Sequence, residues 1–504
     1  MEVSRIIIKN FKNLKDVEIR PKKFNVLIGP NGSGKTNFIE FFKLLRKIYV
    51  EKNPYPFLDW DGYRNVVWNH KINLPIQFMI ETVEKINLSD FINSYLIEID
   101  DEIEKKIKKE DVPIQIFRRI SADFWADSEN LRILRESIEV EIPELNYHLL
   151  IEKRGNIWRV KFNGKEHEVR SEDIEVRSIH FEIIQIIEEG LRLSDYDYLD
   201  YIEDCLGNRI GEFFVELLAE DVMKNFEAEL EKSFPYKEVY LSIKKELKKI
   251  NERKRIGIDV KISKISKEDE DIKRWLDYTL LYWYKYINLR LSINLLSTMY
   301  KPFIILYNTI FLFSLNIIEI KYRRKITPVD QLLSERGENA LDILYLIQFK
   351  NGKLPERIEY LLNTFFNCRG YFKERNFYVY DLSKRIEIPK EHLPDGLIKA
   401  LVILTALEQK PTILLIDEIE NSLHPDLLEF IVNVLKEENV TIFITTHSPT
   451  VLNLVDPEEI WICKPTDEEI KIKNATEFKS KEELLKELDE LGITLGEKIF
   501  YGLT

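Results

Sequence analysis

Residues 4–20, SRIIIKNFKNLKDVEIR, hold two short stretches in which apolar and polar positions alternate. The polar pairs Lys9-Asn10 and Lys12-Asn13 fall between them, an antiparallel hairpin pattern. KFNVLIG at 23–29 predicts a third strand ending in glycine. TNFIEFFKLLRKIYV at 36–50 predicts a helix, with Phe38, Ile39, Phe42, Leu45 and Ile48 on one side. INLPIQFMIETV at 72–83 predicts another strand. From 86 to about 135 the pattern is helical and charged, with KKIKKE at 105–110. Between 137 and 182 strands return, and Arg154-Gly155 and Asn163-Gly164 mark turns. Residues 190–300 are mostly helical and highly charged, and from 326 the composition returns to that of an α/β domain. The chain therefore predicts two α/β ends around a helical, charge-rich middle.

Composition narrows the class. With 504 residues the chain is too long for one ordinary domain, and 44% apolar residues exclude global disorder. A net charge of −13 argues against a surface coated in basic residues, although YKEVYLSIKKELKKINERKR at 236–255 and Arg323, Arg324 and Lys325 form local basic clusters. Cys205, Cys368 and Cys463 form no CxxC pair and predict reduced thiols in a cytoplasmic protein. The apolar run 301–324 has the length of a bilayer span, but Asn308, Thr309, Ser314, Asn316 and Glu319 interrupt it. A buried helix running into a core strand, with no membrane involvement, is the expectation.

GPNGSGKT at 29–36 matches G-x-x-x-x-G-K-[ST] in full, between an apolar strand and a helix. Gly29, Gly32 and Gly34 let backbone N–H groups close on phosphate oxygens, and the helix N-terminus adds positive potential. Asn31, Gly32, Ser33, Gly34, Lys35, Thr36 and Asn37 are the expected ATP-binding segment. Lys35 can reach the β- and γ-phosphates, and Thr36 can ligate Mg²⁺. PTILLIDEIENSLHP at 411–425 supplies an apolar strand ending in Asp417, the second expected metal ligand. Glu418 follows and can polarise an attacking water. VTIFITTHSP at 440–449 is a further apolar strand, with His447 at its end. Lys35, Glu418 and His447 are the expected catalytic groups; His70, His148, His167 and His180 have no comparable context.

Together, RIIIKNFKNLKDVEI leading into NVLIGPNGSGKTNFIEF, then LLIDEIENSLHP and ITTHSP, resemble the ABC-type ATPase heads of the SMC, RecF and OLD-like group. GENALDILYLIQFKNGKLPERIEYLL at 337–362 and the closing LGEKIFYGL resemble stand-alone AAA-type members. The resemblance implies an α/β, ABC-type P-loop ATPase head built from both chain ends with an inserted helical arm. On this reading 1–190 is the N-terminal lobe, with P-loop, strand-rich subdomain and a helical insertion at about 86–135. Residues 191–320 are the arm, and 321–504 the C-terminal lobe.

The resemblance further implies that Glu418 is the catalytic glutamate, His447 the switch histidine, and Glu420–Pro425, with Asn421 and His424, a loop crossing a dimer interface. It also implies that two heads sandwich ATP, each site completed by a signature motif from the partner. HLPDGLIKAL at 392–401 stands in that place, with Pro394 where relatives carry serine. Asp395 as a helix cap, Gly396 with a bare N–H, and Lys399 are what remains of the wall. In the glutamine-loop region, DGYRNVVWNHK at 61–71, no glutamine stands; Asn65 and Asn69 are the candidate substitutes.

The implied function is an ATP-hydrolysing head that works with Mg²⁺ on nucleic acid, with double-stranded DNA a candidate partner, in DNA repair or defence against phage. No nuclease motif is evident, so cutting would fall to a separate nuclease or toxin effector. The alternative is a nucleotide-gated scaffold or sensor that restrains such a partner without touching nucleic acid.

Overall fold

The computed structural model describes residues 1–87, 113–170, 305–323 and 332–477, apart from 128, 146, 163–164, 313–314 and 467–468, together with residue 483. Residues 191–304 of the expected arm, with the basic stretch 236–255, and Arg324, Lys325 and the closing LGEKIFYGL lie outside the described residues; the last part of that expected arm, 305–312 and 315–320, belongs instead to the unit built from both chain ends. The chain divides into two compact units. One comprises 2–79, 125–131 and 304–504, so it is built from both chain ends; the other comprises 80–124 and 132–303, with Met1.

In the first unit, β1 (Glu2–Phe11) and β2 (Leu14–Ile19) form the expected hairpin, with Phe11 opposite Leu14. Its inward residues Ile6, Ile8, Val17 and Ile19 are buried, every second position. β3 (Phe24–Ile28) is buried throughout and leads into α1 (Lys35–Tyr49), which seats Phe38, Phe41 and Phe42 in an aromatic cluster with Phe11 and Phe78. A short helix α2 (Tyr63–Val66) follows.

In the second unit, the six strands β4 (Ile76–Asn87), β5 (Pro113–Asp127), β6 (Asn130–Ile142), β7 (Tyr147–Arg154), β8 (Ile157–Phe162) and β9 (Lys165–Arg170) lie in chain order in one sheet. Some of these strands begin or end in residues of the first unit. The described part of 86–135 corrects the expectation of helix there: 113–127 is a strand. Ile114, Ile116, Arg118, Ile120, Ala122 and Phe124 are buried at every second position. That strict period of two is visible in IQIFRRISADF, next to the charge-rich run KKIKKE that carries the helical pattern. Arg118, fully buried, pairs with Glu84 at 2.8 Å, which explains a charge on the apolar face.

The chain then returns to the first unit. β10 (Thr309–Leu312) is followed by α3 (Ile317–Tyr322), α4 (Ala340–Asn351), α5 (Glu356–Phe366) and a three-stranded antiparallel sheet of β11 (Cys368–Lys373), β12 (Asn376–Asp381) and β13 (Ile386–Pro389). Next come α6 (Asp395–Glu408), β14 (Ile413–Ile416), α7 (Pro425–Glu437), β15 (Thr441–Thr445), α8 (Pro449–Asn453), β16 (Ile460–Pro465) and β17 (Ile470–Asn474). The central sheet has the order β10-β14-β15-β3-β16-β17, parallel except for the β16–β17 pair. ILLI, TIFIT and FNVLI are buried at every position, as a parallel sheet covered on both faces requires. α6 is buried almost all round, from Leu397 to Leu407, and fills the largest core cluster. Among the described residues no helix is long and apolar enough to cross a membrane, and part of the run 301–324 forms core strand β10. Cys368 and Cys463 are free and buried.

Candidate functional site

Three adjacent parallel strands carry the site. β3, β15 and β14 are neighbours in the sheet, and the segments leaving their C-terminal ends hold Lys35, His447 and Asp417-Glu418. The turn after β3 is possible because Gly34 adopts φ +86 as the residue before α1, a conformation costly for any residue with a Cβ. The Lys35 ammonium, buried at 6% exposure, donates to the carbonyls of Gly29 at 2.8 Å and Pro30 at 3.1 Å. Burial lowers its pKa from the usual lysine range, while Asp417, Glu418 and Glu420 pull it back. Asn31 and Gly32 are exposed, and Thr36 and Asn37 half-buried. The Ser33 hydroxyl is buried with no hydrogen-bond partner.

The hairpin tip buttresses this loop. Asn13 Nδ2 donates to the Gly32 carbonyl at 3.3 Å, and Asn37 Nδ2 donates to Asn13 Oδ1 at 2.7 Å. The sequence marks Asn13 only as a turn residue; its contact with the P-loop comes from the tertiary packing. Beside it opens a cleft of about 690 Å³ lined by Lys12, Asn13, Asn37, Asn65, Trp68 and Asn69, among others. Asn65 and Asn69 thus share a cleft with P-loop residue Asn37. Two cations approach Trp68, its ring centroid 4.9 Å from Lys15 Nζ and 4.5 Å from Lys71 Nζ.

The acid loop is bonded on two sides. Thr445, the last residue of β15, donates its hydroxyl to Asp417 Oδ1 at 2.5 Å and accepts from the Glu418 N–H at 2.8 Å. Burial pushes the Asp417 carboxyl up, against the Thr445 hydroxyl that lowers it. Glu418 is exposed and holds φ +46; its Oε2 accepts from Asn421 Nδ2 at 2.6 Å. Glu420 accepts from the Thr446 hydroxyl at 2.8 Å and from the His447 N–H at 2.6 Å, tying the acid loop to the turn that carries His447. Thr445 and Glu420 were missed as site residues; their position beside Asp417 and His447 was the available signal. The His447 side chain is exposed. His424 is exposed and stands at the N-cap of α7, with Nδ1 accepting from the Asp426 N–H at 3.4 Å.

The signature-like segment departs from expectation twice. Asp395 is not the cap of α6: Pro394 holds that position and has no hydroxyl to offer, so Asp395 is the first helical residue and pairs with Lys321 at 2.7 Å. Lys399 does not face outward toward a partner. It is 5% exposed, and its ammonium donates to the Glu418 carbonyl of its own chain at 2.8 Å. Burial pushes its pKa down to about 8, with Glu420, Glu418 and Asp417 opposing the shift. Gly396 packs on the acid loop, and a Cβ there would sit 2.6 Å from the Ser422 carbonyl oxygen.

Thr36 and Asp417 suit Mg²⁺, which favours a hydroxyl and a carboxylate completed by water and phosphate oxygens. The orphaned Ser33 hydroxyl suits a phosphate inside the loop. Among the described residues no three acidic, His or Cys side chains cluster into an all-protein cage.

A phosphate loop, an acid pair and a histidine on adjacent parallel strand ends make up a P-loop nucleotide site. Residues 24–142 and 143–453 match the family described as "AAA domain, putative AbiEii toxin, Type IV TA system", and the chain belongs to that family. The DNA replication and repair protein RecF of Halothermothrix orenii is 24% identical over 163 residues, 31% of this chain and 42% of that protein. RecF of Vibrio vulnificus strain YJ016 is 53% identical over 47 residues, 9% of this chain and 13% of that protein. The chain therefore spans less than half the length of these curated relatives. The Smc head domain of Pyrococcus furiosus, solved with the C-terminal domain of ScpA, covers 97% of this chain and 99% of its own at 14% identity and TM-score 0.35. The SMC head of Thermotoga maritima covers 94% and 99% at 12% identity and TM-score 0.34.

Proposed function

We propose that this chain binds and hydrolyses ATP with Mg²⁺ and closes as a dimer of heads around the nucleotide. The observation that carries the reading is the meeting of Lys35, Asp417-Glu418 and His447 at the ends of three neighbouring strands. The backbone of 31–37 and the α1 N-terminus hold the phosphates, with the Lys35 ammonium turned onto the β- and γ-oxygens. The cleft lined by Trp68 receives the base and ribose. Thr36 and Asp417 hold Mg²⁺, which neutralises charge on the phosphates when bound. The exposed Glu418 carboxylate orients the attacking water, and His447 faces the γ-phosphate. Gly396 and the α6 N-terminus meet the ATP of the second head, and Asn421 and His424 lie on the loop between heads. Both chain ends form the head, and the arm falls within 191–303, because β10 at 309–312 belongs to the central sheet of the head.

The work coupled to closure is nucleic-acid-related, in repair or defence against phage, with a separate nuclease or toxin effector. The partial match to RecF, described as a replication and repair protein, supports this. The toxin–antitoxin wording of the family description favours a second reading, in which nucleotide gates a toxin or nuclease partner and nucleic acid is not touched. Turnover measured with and without double-stranded DNA across a salt series separates the two. Stimulation that weakens with salt supports the first; no binding at low salt, with a co-purifying protein released by ATP, supports the second. Lys35→Ala abolishes nucleotide binding and Glu418→Gln abolishes turnover while retaining ATP; a Glu418→Gln protein with wild-type turnover removes Glu418 from the chemistry.

A further inference from the structure

The helix that carries the signature-like turn also braces the acid loop of its own chain. Lys399 lies on α6, one turn beyond Gly396, among the buried residues Leu397, Ile398, Ala400 and Leu401. Its ammonium meets the Glu418 carbonyl at 2.8 Å, and the same oxygen accepts from the Asn421 N–H at 3.1 Å. Glu418 itself holds a left-handed backbone, φ +46, that a residue with a Cβ keeps only where its surroundings impose it. Among the described residues, its backbone is held by Thr445 Oγ1 on the Glu418 N–H and by Lys399 and Asn421 on its carbonyl. Asn421 also holds the carboxylate, so one small network sets both the backbone and the side chain of Glu418. Close by, Gly396 rests against the Ser422 carbonyl, so α6 touches the loop at two points.

We propose that Lys399 is a positioning residue for hydrolysis. By holding the Glu418 carbonyl it fixes the direction in which the Glu418 carboxylate leaves the acid strand. It thereby makes the seating of α6, the helix whose N-terminus faces the second head, a condition for turnover in the same chain. This rests on the reading of Glu418 as the water-orienting carboxylate. It assigns Lys399 a role within its own chain instead of in a partner's site.

The test uses the full chain with Lys399→Met, Lys399→Arg and Lys399→Gln, reading ATP binding, Mg²⁺-dependent turnover and amide exchange at Ile419 and Asn421. Lys399→Met should leave ATP affinity within about threefold and lower turnover by about 100-fold, the scale of a misplaced reacting group. Lys399→Arg, which keeps a long cationic donor, should restore most of that turnover. Exchange at Asn421 should quicken by about tenfold in Lys399→Met as the loop opens locally. Wild-type turnover in Lys399→Met, equal losses of binding and turnover, or no rescue by arginine would overturn the proposal. If Lys399→Met does not fold, Lys399→Gln, neutral and short of the carbonyl, is held to the same outcomes. If the wild-type protein itself does not hydrolyse ATP, the ATPase reading fails separately. Exchange then decides: an Asn421 amide unchanged in the variant overturns the bracing role, and a faster one upholds it.

Discussion

At the scale of single residues, the site depends on contacts that leave no room for error. Gly396 is the sharpest case, since a Cβ at that position would press to 2.6 Å from a backbone oxygen of the acid loop. Gly396→Ala should therefore cost about 1–3 kcal/mol, the range for overpacking a filled site, read as a lower urea midpoint. Stability equal to wild type would show that the loop gives way freely. A larger side chain such as aspartate strikes the protein's own acid loop before it reaches any partner, so loss of dimerisation in Gly396→Asp does not by itself report on the head interface. The motif residues were legible because each carries its chemistry in its type and place: glycines for the phosphate turn, Asp417 and Glu418 after an apolar strand. Lys399 was legible in sequence only as part of the expected wall toward a partner's ATP, although it stands among Leu397, Ile398, Ala400 and Leu401. Its partner, a backbone carbonyl on another element, leaves no mark in sequence.

At the scale of elements, the β1–β2 hairpin both starts the fold and presents Asn13 to the P-loop. Arg5 grips Glu18 through two hydrogen bonds of 2.9 Å across its strands, and that grip holds the Glu18 carboxyl below its usual range. A lowered carboxyl pKa adds stability above the ordinary carboxylate value and loses it as pH falls through the lowered one. Because the pair is solvent-exposed, Arg5→Ala should cost less than about 1 kcal/mol at neutral pH. The difference from wild type should vanish in acid below the shifted value; an Arg5→Ala deficit independent of pH would assign the loss to packing. The hairpin was readable from alternation alone. The strand 113–127 follows the same rule, yet the charged run before it obscured the period. α6 posed the opposite problem: apolar on nearly every side, it has no polar face to announce which way Lys399 points.

At the scale of the molecule, the unit that holds the site is built from both chain ends, and its central sheet seats β3 between β15 and β16. If two such heads close on ATP, Glu418→Gln with ATP and Mg²⁺ should sediment as a dimer and with ADP as a monomer. A monomer at saturating ATP would remove the sandwich from the proposed function. The amino-acid sequence by itself determined the P-loop, the acid pair and the α/β class, because these follow from local period and from the few residue types that can hold phosphate and Mg²⁺. Tertiary structure alone decided that Asn13 steadies the phosphate turn, that Thr445 and Glu420 bind the acid loop to β15, and that Lys399 serves its own chain. Each of those is a hydrogen bond between elements far apart in sequence, and its direction is set by how the elements pack against one another.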